Sequence, residues 1–123
     1  MSPMSSDIEI HDDRDRGLLL ARTGADTSDG EIVGYIQYFV LDEPQRALVP
    51  VHTIVEPQHE GKGIAGSLAR ELYAIAAREG IAVAPLCPFV VKWAERHPGE
   101  APAVSAELLT AAQDALAADP GKW

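Results

Sequence analysis

The stretch from Val55 to Ala74, VEPQHEGKGIAGSLARELYA, contains the residues of the chain best suited to hold a phosphate. Gly61 and Gly63 lack a Cβ atom, which lets an anion approach the backbone amides closely, and Lys62 between them adds a mobile positive charge. A helix predicted to begin at about Gly63 would point unpaired N–H groups and its positive dipole end at the same place. The loop therefore predicts a pyrophosphate site.

The glycine pattern matches more than one phosphate ligand. The segment 61–66 (GKGIAG) fits G-x-G-x-x-G, the dinucleotide fingerprint. That fingerprint requires its first glycine directly after a strand and an acidic residue about twenty positions later. Here the five residues 56–60 intervene, and the apolar run 81–86 ends without an acid. A nucleotide P-loop is excluded as well, because no Gly-Lys pair is followed by Ser or Thr.

Two side chains outside the loop could do acid–base or nucleophilic chemistry. His52 is a candidate general base, because histidine exchanges a proton near neutral pH. It lies two residues before Ile54 and shares its face of a strand. Cys87 directly precedes Pro88, a favoured first helix residue, so we expect its sulfur beside helix amides. The alternatives are a hydrogen-bonded sheet histidine and a small buried hydrophobe.

The glycine loop, His52 and Cys87 must be positioned by regular structure. The first part of that structure is a series of strands predicted in residues 7–55. Apolar runs at 8–10, 18–22, 32–41 and 47–55 are separated by polar loops at 12–17, 24–30 and 42–45. Gly17 is expected to take a positive φ in the first loop. The run IVGYIQYFVL at 32–41 is apolar on both faces, which predicts a central strand.

The apolar spacing becomes helical after residue 63. It predicts a helix that Gly80 ends in the left-handed conformation, followed by a buried strand at 81–86. A second helix is expected from Pro88 to about His97, with Phe89, Val90 and Trp93 in the core. Ser105 is expected to cap a third helix that runs to about Ala118. The order β-β-β-β-α-β-α-α predicts an α+β fold in one domain, 1–123, with a core at about 7–98 and a helical extension at 99–123.

Read from Gln58, the loop 58–65 (QHEGKGIA) resembles the acetyl-CoA signature of the GNAT superfamily of N-acetyltransferases, Q/R-x-x-G-x-G/A. The surrounding segments VHTIV and PLCPFVVKWAERHP are similar to those of very small members, which pair an HT-x-V strand with a P-x-C-P-F/Y-V segment and a nearby His-Pro. The resemblance is closest over about 32–98. Members often carry Glu where this chain has Ile54.

The resemblance implies an antiparallel meander, then a β-α-β unit whose fourth and fifth strands splay around the pantetheine arm of acetyl-CoA. It implies that a backbone amide at Ile54-Val55 polarises the thioester carbonyl, and that an amine is the acceptor. His52 and Cys87 are the candidate catalytic residues, His52 as general base and Cys87 as a covalent acetyl carrier, an acid or a simple contact beside the CoA thiol. The implied cofactor-binding residues are Ile54, Val55, Gln58, Gly61, Lys62, Gly63, Ile64 and Ala65, with Lys92 as a further phosphate contact.

Composition limits the remaining functions. The net charge of −9 argues against nucleic-acid binding, which requires a basic surface. No apolar run approaches the length of a membrane span, and the N-terminus lacks the pattern of a secretory signal. One cysteine suits a reducing compartment, so we expect a cytoplasmic protein. Histidine and cysteine spacing predicts no metal site.

The sequence leaves several choices open. The acceptor amine could be a small molecule or a protein lysine, and the chain could be a monomer or a weak homodimer. Ile54 in place of Glu favours an alternative function, a CoA-binding or interaction module with the same fold and no transferase activity. A mixed α/β binding domain unrelated to the family is a third possibility.

Overall fold

The computed structural model describes residues 8–23, 31–57, 61 and 63–118. Within these ranges five strands and three helices follow one another in the predicted order. They are β1 (Ile8–Asp13), β2 (Leu18–Thr23), β3 (Ile32–Leu41), β4 (Ala47–Val55), α1 (Ile64–Glu79), β5 (Ala82–Val83), α2 (Pro88–Arg96) and α3 (Ala106–Ala118). The expected α+β class is confirmed, as are the bounds of β3 and β4.

The strands form one mixed sheet in the order β1-β2-β3-β4-β5. The first four are antiparallel neighbours, and β5 returns parallel to β4 after the crossover helix α1. The β3–β4 register shifts by one residue between Gln37↔His52 and Tyr38↔Pro50, which leaves Val51 as the extra residue of a β-bulge in β4. β3 is the middle strand, in agreement with its apolar composition.

The two faces of the sheet carry separate cores. One face packs against α1 and α2 through Leu19, Ile36, Leu48, Leu68, Leu72 and Val90, all fully buried. The opposite face packs against α3, where Leu108 and Ala112 belong to one buried cluster with Val49, Val51 and Ala84. The serine expected to cap α3 does so, because Ser105 Oγ accepts a hydrogen bond from Leu108 N–H at 3.1 Å.

Two predicted boundaries and one predicted core position are wrong. β1 extends to Asp13, so the first turn is shorter than the loop expected at 12–17, although Gly17 does take φ 68°. The fifth strand contains only Ala82–Val83 instead of the run 81–86. The physical reason is that Pro50 of β4 has no N–H to return a bond, so regular pairing stops at Val83, although Ala84 N–H still donates to Leu48 O at 2.9 Å and Leu86 N–H to Pro50 O at 3.1 Å. The expected core residue Phe89 is 39% exposed.

Among the described residues, no helix is long and apolar enough to cross a membrane.

Candidate active site

The candidate active site lies where the parallel pairing of β4 with β5 ends. Parallel pairing joins Leu48 to Val83, and the last backbone bonds between the two segments end on Pro50. The next residue of β4 is the bulge at Val51, and bulges bend a strand and end regular pairing. The last residues of β4, 52–55, therefore lie beside a gap that no strand of the described chain fills.

The direction of the backbone amides follows from the β3–β4 ladder. Glu56 N–H donates to Val33 O on β3 at 2.8 Å. Successive N–H groups along a strand point to opposite sides, so the amide of Val55 points away from β3, toward the gap. This is one of the two positions, Ile54-Val55, at which the sequence placed a donor to the thioester oxygen.

The start of α1 borders the same end of β4. Gly61 and Gly63 have φ 86° and 79°, a conformation that side-chain-bearing residues rarely adopt. Among the described residues, nothing lies within 4 Å of a Cβ atom built on either glycine. Gly63 is the N-cap, no side chain caps the helix, and its first turn contains no acidic residue. These features fit an anionic group at the helix amides.

Ile64, the first residue of α1, is buried in the core beside Gly34 and Val55. It therefore anchors the helix start, and any ligand contact must come from its backbone. Ala65 follows on the helix and is half-buried. Gln58 and Lys62, the polar members of the predicted loop, lie outside the described residues. Lys92 is exposed on α2.

Cys87 lies at the N-cap of α2 and is 3% exposed. The sequence placed its sulfur beside the helix amides, but the side chain makes no cap hydrogen bond. Instead Cys87 Sγ lies 3.1 Å from Thr53 Oγ1, and either atom can donate. Thr53 is the site residue that sequence reasoning missed, and its position next to His52 in the HT-x-V segment was the available signal.

His52 and Cys87 lie on different sides of β4. Thr53 pairs with Ile36, which is fully buried in the α1–α2 core, so Thr53 and Cys87 belong to that face. His52 pairs with Gln37 on the opposite face, where Ile54 is 48% exposed. The expected sharing of a face by His52 and Ile54 is confirmed. An imidazole and a thiol thus flank the strand end from two sides.

A layered contact between α1 and α2 stabilises the helix that follows Cys87. The Trp93 ring stacks on His97 at 4.2 Å and on Tyr73 at 5.8 Å between centroids. The Arg70 guanidinium lies 5.6 Å from the Trp93 ring centre and also bonds Glu100 at 2.7 Å. Burial raises the pKa of Tyr73 to about 12. These contacts hold α2, and with it Cys87, against α1.

An apolar pocket of about 470 Å³ lies elsewhere, between α2 and the segment that leads to α3. Pro85, Val91, Pro98 and Val104 are among its lining residues. None of the predicted site residues lines it, so its size does not make it the site. Within the described ranges, no group of three or more His, Cys, Asp or Glu residues could hold a metal ion.

Comparison with known proteins identifies the family. A model described as GCN5-related N-acetyl-transferase matches residues 23–103, more than half of the chain. The chain belongs to the GCN5-related N-acetyltransferase family. No protein in the curated set matches it.

Solved structures include similar acetyltransferases. A ribosomal-protein-alanine N-acetyltransferase from Brucella melitensis biovar Abortus 2308 is 28% identical, with a TM-score of 0.51 over 72% of this chain and 62% of its own. A Trypanosoma brucei acetyltransferase is 16% identical, with a TM-score of 0.49 over 75% of this chain and 66% of its own. The chain thus spans less than two thirds of the length of the Brucella enzyme.

Proposed function

We propose that this protein transfers an acetyl group from acetyl-CoA to an amine. The observation that carries the proposal is the Val55 amide directed into the gap between β4 and β5, next to the open glycine start of α1. Membership of an N-acetyltransferase family supports the same chemistry. In this reading, the amides at the helix start bind the pyrophosphate of CoA, and the gap receives its pantetheine arm.

The reaction balances without a metal or redox partner. The neutral amine nitrogen forms a bond to the thioester carbon, the C–S bond breaks, and CoA leaves with its sulfur protonated. An alkylammonium has a pKa near about 10, so the acceptor must first lose a proton. His52 is the proposed general base for that proton, because its ring is exposed on the face where an acceptor can approach. The Val55 amide stabilises the charge that develops on the carbonyl oxygen.

Cys87 has the geometry of a contact residue. Its thiol is buried and shares a hydrogen bond with Thr53, which positions the sulfur at the floor of the gap. A group that is 3% exposed is a poor carrier of an acetyl group between two substrates. We propose that the thiol lines the site of the CoA sulfur and that transfer to the amine is direct.

The experiment combines binding with turnover. Calorimetry with acetyl-CoA tests the first stage, and absence of binding would remove every CoA-dependent function. Incubation with acetyl-CoA and a panel of amines, followed by mass spectrometry, tests the second. His52→Ala should lower transfer about a hundredfold or more with binding retained. Cys87→Ala should cost about tenfold, the loss of one hydrogen-bonding contact. If both variants keep full transfer, neither residue has the proposed role.

A CoA-binding module without transferase activity is the second candidate. Its supporting observation is Ile54, an exposed aliphatic side chain at a position where relatives often carry Glu, beside His52 on the same face. Binding of acetyl-CoA without transfer to any amine would favour this candidate. Recovery of transfer in Ile54→Glu would then identify the missing carboxylate as the cause.

A further inference from the structure

A groove between α1 and α2 contains a hydrogen-bond donor that the fold does not use. Its floor is formed by Gly66, the third residue of α1, and by the indole ring of Trp93 on α2. A Cβ atom built on Gly66 would lie 3.6 Å from Trp93 Nε1 and 3.8 Å from Cδ1. The N–H edge of the indole therefore faces the first turn of α1, while the ring stacks on Tyr73 farther along the helix. These two floor residues, with Lys92 and Arg96 beside them, are called the Trp93 groove below.

The indole N–H of Trp93 is a donor without a partner. The residue is 7% exposed, and its N–H makes no hydrogen bond within the described part of the chain. Every fully buried side-chain nitrogen or oxygen among the described residues does have a partner, so this N–H reaches the surface of the groove. Polar groups on side chains that are almost completely buried are normally paired. The groove therefore offers its donor to a ligand from outside the chain.

The available charges beside this donor are positive. Arg96 lies one turn after the indole on α2 and Lys92 directly before it; both are exposed, and neither forms an ion pair within the described residues. The carboxylate of Glu100 is already bound by Arg70, at 2.7 and 3.4 Å. Glu95 lines the apolar pocket on the other side of α2. The groove is thus a local anion site on a chain whose net charge is −9.

The groove lies close to the helix start at which the pyrophosphate is proposed to bind. Gly66 is three residues after the N-cap Gly63, about 4.5 Å farther along the helix axis. The ribose of CoA carries the pyrophosphate on its 5′ oxygen and a phosphate monoester on its 3′ oxygen, so one sugar ring separates the two groups. A phosphate monoester accepts hydrogen bonds from N–H donors and pairs with a guanidinium. We infer that the Trp93 groove binds the 3′-phosphate of CoA, an inference that rests on the proposed function through its CoA-binding step.

Adenine is the other part of the same ligand that could accept a hydrogen bond from the indole. The base is uncharged at neutral pH, whereas the 3′-phosphate is an anion. The free cations of Lys92 and Arg96 therefore favour the phosphate over the base at this donor. Dephospho-CoA keeps the adenine and lacks only the 3′-phosphate, so it separates the two possibilities.

The test compares the affinities of the full chain for CoA and for dephospho-CoA, measured by calorimetry at low ionic strength. The wild type should bind CoA about thirtyfold more tightly. Trp93→Phe keeps an aromatic ring and removes the N–H, and should reduce this preference about tenfold. Arg96→Met keeps the apolar stem and removes the charge, and should reduce it about fivefold. Arg78→Met, the matched control, removes an exposed arginine in the last turn of α1 and should leave the preference within about twofold.

Gly66→Ala separates a binding role of the groove from a structural one. The new methyl group would lie in ordinary contact with Trp93 Nε1, at 3.6 Å, and would shield the N–H without changing any charge. Alanine favours a helix more than glycine does, so thermal melts should show a variant at least as stable as the wild type. The preference for CoA over dephospho-CoA should nevertheless fall about threefold.

The outcomes distinguish this inference from the proposed function. Equal affinity of the wild type for CoA and dephospho-CoA would overturn the inference and leave the proposed function standing. Absence of binding of either ligand would overturn both. An unchanged preference in Trp93→Phe and in Gly66→Ala would place the 3′-phosphate elsewhere, and an equal loss of affinity for both ligands would assign the indole to the adenine. A preference that depends on Trp93, in a protein that acetylates no amine, would support the inference and contradict the transferase.

Discussion

The two ends of α1 are built in opposite ways. At the C-terminal end, Gly80 caps the helix with backbone bonds to Ala76 and Ala77, and Arg14 from the β1–β2 turn donates to Glu79 at 2.6 Å. At the N-terminal end the cap is Gly63, and the described residues form no side-chain cap hydrogen bond there. One end of the helix, the fixed end, is thus capped and tied to the β1–β2 turn, whereas the other, the ligand end, is the end at which we propose that the phosphate binds.

The fixed end contains a network of charged and polar side chains. Arg14 Nε donates to Tyr38 Oη at 3.1 Å, and Tyr38 donates in turn to Asp12. The turn itself packs closely, since Tyr38 N–H donates to Gly17 O at 2.8 Å. Such a network stabilises the contact between the hairpin and α1 at a distance from the proposed chemistry. At the ligand end the buried side chain of Ile64 holds the helix start, so an anion would be bound by backbone amides alone.

The largest expected effect is a loss of stability from a substitution in the turn that packs against the fixed end of α1. In Gly17→Ala the new Cβ would meet Tyr38 O at 2.2 Å, and the φ of 68° would be strained as well. We expect a loss of roughly 3 kcal/mol in the free energy of unfolding, from left-handed strain plus the clash. Urea unfolding followed by circular dichroism measures it. Gly99→Ala, where nothing lies within 4 Å, is the control and should change stability little.

The second effect is a loss of acetyl-CoA affinity from a substitution at the N-terminal end of α1. Gly63→Asp places a negative charge at the start of α1, where the proposed pyrophosphate binds, and leaves the core untouched. Losing about 1.5–3 kcal/mol of charge-assisted bonding should weaken acetyl-CoA binding roughly ten- to a hundredfold by calorimetry. The free energy of unfolding should fall by about 1–2 kcal/mol, the strain of a side chain at φ 79°. Unchanged affinity would contradict the assignment of the helix start to the phosphate.

The features that the sequence predicted correctly each lie within one short segment of the chain. The bounds of β3 and β4, the helix ended by Gly80 and the cap Ser105 all depend on local patterns, and each is confirmed. The phosphate loop likewise depends on glycines adjacent in the chain. Strand bounds, helix caps and glycine loops can be predicted from a single sequence, because the residues that determine each of them are neighbours in the chain.

Contacts between distant segments were not predictable. Thr53 and Cys87 are 34 residues apart, and Arg14 and Glu79 are 65 apart, so no spacing rule links them. The run 81–86 has the composition of a buried strand, yet only Ala82–Val83 pairs as one, because Pro50 in the facing part of β4 has no N–H and the bulge at Val51 follows it directly. A bulge depends on its partner strand, which composition does not reveal.

The third prediction tests whether the network at the fixed end contributes to stability and not to acetyl-CoA binding. Tyr38→Phe removes the bonds to Asp12 and Arg14 from a residue that is 1% exposed, and should cost about 1–2 kcal/mol of unfolding free energy. Acetyl-CoA affinity should be unchanged. A matched variant, Tyr35→Phe, removes a hydroxyl from the other face of the sheet. A loss of affinity in Tyr38→Phe would show that the two ends of α1 are coupled.

The same residue predicts a dependence on alkaline pH. Burial, reinforced by the bond to Asp12, raises the pKa of Tyr38 above its usual range. Above pH 10 the unfolded chain binds fewer protons at this position than the folded one, so stability falls as the pH rises through that range. Thermal melts between pH 9 and about 11.5 should show this decline, less steeply in Tyr38→Phe. An equal slope in both proteins would assign the decline to other groups, such as Tyr73.

The smallest effect concerns the ion pair at the surface of the fixed end. The hydrogen bond from Arg14 lowers the pKa of the Glu79 carboxyl. The ion pair therefore contributes to stability above the pKa that Glu79 has in the unfolded chain, and this contribution is lost as the pH falls through the lower pKa of the folded state. The Glu79 side chain is 39% exposed, and solvent screening limits the pair to about 0.5 kcal/mol. Glu79→Gln should therefore lose that amount at neutral pH and nothing at pH 3, as measured by urea unfolding. Because the pair is exposed, added salt should reduce the difference between wild type and Glu79→Gln. The loss in Tyr38→Phe arises from part-buried hydrogen bonds of a neutral hydroxyl and should depend less on salt.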